Sequence, residues 1–168
     1  MYQIGETVLY GTEGVCKIEQ MQEMKVGGKK KQYYVLKPVY RDGATVFVPT
    51  DNELLLGKMK RILSAEEIHQ ILAEACAQDL EWIEDTNERK MEYQKILLSG
   101  DRCGVVRLIR VLYLRRQQLR EVGKQLRSGD DQLLREAEKL LNDEFALVLN
   151  IPQHQVPEYI RSRIEASA

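Results

Sequence analysis

Arg61-Ile62-Leu63-Ser64-Ala65-Glu66-Glu67-Ile68 is the stretch at which the periodicity of this chain changes. Ser64 followed by Glu67 is the pattern of a capping box, in which a hydroxyl and a carboxylate each satisfy an orphan backbone donor at a helix start. Behind it Ile68, Ile71, Leu72 and Ala75 recur at helical spacing. Ahead of it the apolar residues fall in short runs divided by glycine. The boundary predicts two domains, residues 1–63 and 64–168. The fold class is α+β, with a small antiparallel β domain followed by a compact helical one.

Upstream of the boundary, residues 6–10, 15–25, 30–39 and 44–49 are rich in Val, Ile and Tyr and read as strands. Gly27-Gly28 stands between the two longest, and a tight hairpin turn needs residues that tolerate positive φ. Asp42-Gly43 is a second turn signal. Four or five short strands in so few residues predict a small, strongly bent sheet or partial barrel.

Downstream, Asp85-Thr86-Asn87-Glu88 offers a second capping box, and Asp101 a cap for a third helix carrying Val105, Leu108, Ile109, Leu112 and Tyr113. Ser128-Gly129-Asp130-Asp131 opens a fourth with Leu133, Leu134, Ala137, Leu140, Leu141 and Val148. Ile151-Pro152 ends that helix, and Val156, Tyr159, Ile160 and Ile164 mark a last short one. About five helices are expected, with no internal repeat and no long linker.

The sequence points away from enzymes. It has no GxSxG, no GxxxxGK[ST] and no HExxH, and Val26-Gly27-Gly28-Lys29 is too short to cradle a phosphate. No catalytic residue, metal site, cofactor or small-molecule substrate is expected. His69 and His154 are tied by no motif to a cysteine or carboxylate. Cys103, beside Arg102 in a first helical turn, is the one thiol whose charge environment favours a lowered pKa, but it has no paired base. Cys16, Cys76 and Cys103 are odd in number and widely spaced, which suits reduced thiols in the cytosol. With neither a signal-peptide pattern nor a long apolar run, the chain is expected to be soluble and cytoplasmic, with no membrane partner.

Net charge is −1, but the charge is unevenly placed. Residues 1–63 hold ten Lys/Arg against seven Asp/Glu, and residues 64–168 fifteen against nineteen. Within that acidic half, residues 102–127 carry eight cations against Glu121 alone. Arg116, Arg120, Lys124 and Arg127 recur at i, i+4, i+8 and i+11, so they share one helical face. Such a face is either solvated or set against phosphates, giving salt-dependent affinity without sequence preference. Trp82, the single tryptophan, lies in a polar connection before the Asp85 cap. It is either a lid packed on the bundle or an exposed wedge or stacking platform, with Arg89 and Lys90 placed to hold adjacent phosphates.

Several of these segments resemble the CarD family. They are Ile4-Gly5-Glu6-Thr7-Val8-Leu9-Tyr10, Gly14-Val15, Gln32-Tyr33-Tyr34-Val35-Leu36-Lys37, Thr45-Val46-Phe47-Val48-Pro49, and Leu98-Ser99-Gly100-Asp101 with the basic run that follows. The likeness runs over nearly the whole chain. It implies a bacterial, nucleoid-associated transcription regulator with a Tudor-like β domain. That domain would dock on the RNA polymerase β subunit through Tyr34, Lys37, Val46, Phe47 and Val48. The likeness also implies a helical domain on promoter DNA at the upstream edge of the −10 element. There Trp82, Arg89, Lys90, Arg116, Arg120 and Lys124 would make minor-groove and phosphate contacts, largely independent of sequence, that modulate open-complex stability. The same β module occurs in the transcription-repair coupling factor, whose helicase motifs this chain lacks.

The sequence departs from the family in two places. The family's tryptophan stands about one helical turn nearer the Ser-Gly-Asp turn, at the place of Thr86. Phe47 replaces a basic residue often found on the polymerase-facing strand; pairing along a strand edge rests mainly on backbone groups and tolerates that change. The alternative reading is a protein–protein adaptor whose helical domain binds a second protein. The acidic balance of residues 64–168 favours it, and the cationic run at 102–127 opposes it.

Overall fold

The computed structural model describes residues 2–167, with the backbone alone at Thr12. It divides into two compact units, Met1–Leu63 and Ser64–Ala168. The first is a five-stranded antiparallel sheet in the order β4-β3-β2-β1-β5. Its strands are β1 (Thr7–Tyr10), β2 (Gly14–Val26), β3 (Lys29–Pro38), β4 (Val46–Pro49) and β5 (Met59–Arg61).

Between β2 and β3 both turn glycines adopt positive φ, 60° at Gly27 and 80° at Gly28, as a two-residue hairpin of this hand requires. The ladder slips by one residue between Ile18 and Gln20. Such a bulge bends a strand and sharpens its twist. Bending lets a short sheet wrap its own core of Val8, Tyr10, Cys16, Ile18, Tyr34, Leu36, Val48 and Met59. The sequence did not announce α1 (Glu53–Leu56). It is a single turn capped by Asn52, whose side chain accepts from the Leu55 N–H at 3.1 Å, and it lays Leu55 and Leu56 against that core. The α+β fold with a Tudor-like sheet is therefore present.

The second unit is a bundle of α2 (Ala65–Ala77), α3 (Thr86–Leu98), α4 (Arg102–Glu121), α5 (Ser128–Leu149) and α6 (Val156–Ser167). The capping box closes in both directions: Glu67 N–H donates to Ser64 Oγ and Ser64 N–H to Glu67 Oε1, each at 3.1 Å. Asp85 caps α3 by accepting from the Glu88 N–H at 2.9 Å. Asp101 precedes α4 but makes no side-chain cap bond. Most of the apolar periodicity buries as expected, with Ile68, Leu72, Ile109, Leu112, Leu134, Leu141, Ile160 and Ile164 closed to solvent; Leu140 instead faces solvent, and Phe145 joins the core. No helix among the described residues is long and apolar enough to cross a membrane.

Candidate nucleic-acid interface and sheet edge

Trp82 lies in the non-helical segment between α2 and α3, and its ring is half-buried rather than largely exposed. Three side chains hold it. The guanidinium carbons of Arg89 and Arg115 stand 4.5 and 5.0 Å from the indole centroid, and the Tyr93 ring meets it edge-on at 6.3 Å. Each cation over an indole face contributes about 0.5–2 kcal/mol, more as water is excluded.

Arg89 fixes the segment as well as the ring. Its Nε and one terminal nitrogen donate to the two oxygens of Asp130, both at 2.9 Å. The other terminal nitrogen donates to the carbonyls of Ile83 at 2.8 Å and Glu84 at 3.2 Å. Tyr93 Oη donates to the carbonyl of Glu81 at 3.0 Å, and burial pushes that phenol's pKa up. Two side chains of α3 thus tie down the backbone on both sides of Trp82.

This corrects the role expected of Arg89. It is 3% exposed and bonded to a carboxylate that is 6% exposed, so it supports the tryptophan and does not face phosphate. Lys90, the next residue, is on the exposed side of α3. No local pattern marks Arg89 as buried, because its partner lies on another helix. Thr86, at the family's wedge position, is exposed and accepts from Arg127 at 3.0 Å.

The cationic run is also corrected. Gly123, with φ of 71°, terminates α4, and the N–H groups of Val122 and Lys124 close on the Leu119 carbonyl. Lys124 and Arg127 therefore lie beyond the helix and share no helical face with Arg116 and Arg120. Within α4, Arg102 pairs with buried Glu144 through bonds of 2.8 and 2.7 Å, and Arg110 pairs with Asp79. Arg115 lies over Trp82 and Arg116 over Tyr113. Acids from elsewhere in the bundle thus pair with two of the eight cations of the run, Arg102 and Arg110. Arg120 and Lys124 are exposed.

In the β unit, β4 is an outer strand of the sheet and pairs with β3 alone. Phe47 points outward and is 43% exposed, and Val46 is half-buried. Tyr34 and Val48, cross-strand partners, are core residues, so their side chains are closed to a partner. Lys37 donates to Thr45 Oγ1 at 2.8 Å. This edge can offer the backbone of β4 and the Phe47 ring.

Burial pushes the Cys103 thiol up, outweighing the lowering effect of Arg107, so it is not an activated nucleophile. Among the described residues no group of three or more His, Cys, Asp or Glu is placed to hold a metal ion. His69 hydrogen-bonds Tyr159 Oη at 3.0 Å.

Residues 2–63 match the CarD-like/TRCF RID domain, and residues 67–161 match the CarD C-terminal domain. The sheet and the bundle correspond to those two parts in order. The chain therefore belongs to the CarD family of transcription factors, whose amino-terminal module interacts with RNA polymerase.

Proposed function

We propose that this protein regulates promoter complexes in the bacterial cytoplasm, on the nucleoid. It docks on the polymerase β subunit through the β4 edge and Phe47. Its helical unit then contacts promoter DNA at the upstream edge of the −10 element, with Trp82 at the minor groove, and modulates the lifetime of the open complex. The observation that carries the reading is the half-buried indole held by Arg89, Arg115 and Tyr93. A stacked base gains roughly 1–3 kcal/mol, comparable with the few kcal/mol needed to unstack a duplex step. A ring already fixed in place loses little freedom on binding. Lys90, Arg120 and Lys124 supply the phosphate contacts.

The test is the half-life of open complexes on a linear promoter with full-length Trp82→Ala, at a temperature where the variant is folded. Shortening towards the value without the protein, with polymerase capture unchanged, supports the reading. An unaltered half-life removes Trp82 from the interface. The adaptor alternative draws on one observation, the internal pairing of the α4 cations. Duplex affinity that does not vary with salt would favour it.

A further inference from the structure

Tyr113, on α4, is 5% exposed and carries two arginines on its ring: the guanidinium carbons of Arg116 and Arg161 stand 5.4 and 5.6 Å from its centroid. Arg161 comes from α6 and donates to Glu138 at 2.7 Å. Arg120 follows Arg116 by one helical turn and is exposed at the rim. The Tyr113 hydroxyl is engaged by Glu165 and by Gln117.

Arg116 is half-buried on α4, where Arg107 and Arg110 also have an Nε closed to solvent without an acceptor. It makes no hydrogen bond or ion pair with any described residue, and its Nε is closed to solvent without an acceptor. The Nε of Arg161 is in the same condition. Burial first, then Arg161 and Arg120, push the Arg116 pKa down; Glu138 and Asp131 oppose them but are bonded to Arg161 and Arg135. A guanidinium held in a partly dry setting beside two like charges is costly to keep unless an anion satisfies it.

The geometry selects the anion. Planar guanidinium forks match tetrahedral oxyanions, and a dianion shares its oxygens among several forks at once. Arg116 is half-buried among packed helices, so the ligand must be compact; the rod of a duplex reaches Arg120 at the rim more readily than Arg116. We propose that Arg116 and Arg161, gathered on the Tyr113 ring with Arg120 at the rim, bind a compact phosphate-class oxyanion, either free or as the terminal group of a soluble phosphoester. This site is separate from the Trp82 loop but shares Arg120 with the DNA contacts proposed above.

The experiment is calorimetric titration of the full-length protein with orthophosphate, pyrophosphate and phenyl phosphate, with sodium chloride at matched ionic strength as control. Arg116→Gln is the informative variant, because it removes a charge that no described acid pairs with. Replacing Arg161 would instead strand Glu138. Saturable binding of at least one phosphate probe is expected, with Arg116→Gln weakening it roughly tenfold or more, as loss of a charge-assisted hydrogen bond implies. Tighter binding of phenyl phosphate than of orthophosphate assigns the site to a phosphoester, and the reverse to the free ion. No saturable heat, or equal binding by Arg116→Gln, overturns the proposal. So does a short duplex that displaces the phosphate probe and itself binds Arg116→Gln more weakly, which would make the site a backbone contact.

Discussion

Arg89 and Asp130 meet through two parallel hydrogen bonds of 2.9 Å across 41 residues of sequence, and the same guanidinium faces the indole of Trp82. One buried ion pair thus joins α3, the start of α5 and the segment that carries the tryptophan.

Breaking that pair from the acidic side leaves a buried charge alone. Asp130→Ala is expected to destabilise the helical unit by about 3–5 kcal/mol. Asp130→Asn, which keeps one acceptor, should cost less. Trp82 is the only tryptophan, so its emission should shift to the red and become more quenchable by acrylamide in both variants. Denaturant titration with the emission spectrum checks both; an unshifted spectrum would mean that Arg89 does not hold the ring.

The cations of residues 102–127 should divide into two groups. Arg102→Ala strands the carboxylate of Glu144 and is expected to lower stability by about 3–5 kcal/mol. Arg120→Glu and Lys124→Glu should leave the melting temperature nearly unchanged while reducing the salt slope of duplex binding by roughly one unit per lost phosphate contact. Melting curves with salt-dependent binding isotherms separate the groups.

On the sheet, Phe47→Glu should abolish capture of the polymerase β subunit while the β unit remains folded, since the ring lies outside the core. Tyr34→Ala should act differently, costing about 3–5 kcal/mol through a cavity in the core. Co-purification beside circular dichroism distinguishes lost docking from lost fold. Full retention of polymerase by Phe47→Glu would move the docking surface elsewhere.

Alkaline stability follows from the buried phenols. Burial raises the pKa of Tyr10, Tyr93 and Tyr113, so the folded state holds their protons more tightly than the unfolded chain. Their contribution is fully present below the unfolded value of about 10 and is lost as pH rises through the higher folded values. Unfolding free energy should therefore decline above about pH 10. Tyr93→Phe should flatten part of that decline while losing the bond to Glu81.

What could be read in the sequence was local. Ser64 and Glu67 announced a helix start because both halves of a capping box lie within one turn, and Gly27-Gly28 announced a hairpin because few other residues accept that backbone. The strand at residues 44–49 was legible in its β-branched and aromatic content, whereas its role as a docking edge came only from the family resemblance. Arg89 was misread because its position in sequence is that of a surface cation after a cap, and only the approach of α5 supplies Asp130. The cationic stripe of α4 is shorter than its spacing suggests because Gly123, at positive φ, stops the helix before Lys124. Apart from Asp79, the acid that pairs with a cation of α4 is Glu144 on α5, a pairing with no signature of spacing.

The β4 strand is four residues long and closes on Pro49, which has no N–H to give. In the docking proposed above, a strand laid along it finds only a few backbone rungs, and the Phe47 ring adds to their hold. The same brevity offers little edge for two copies of the sheet to pair along, and short edge strands are one way in which sheets limit edge-to-edge association.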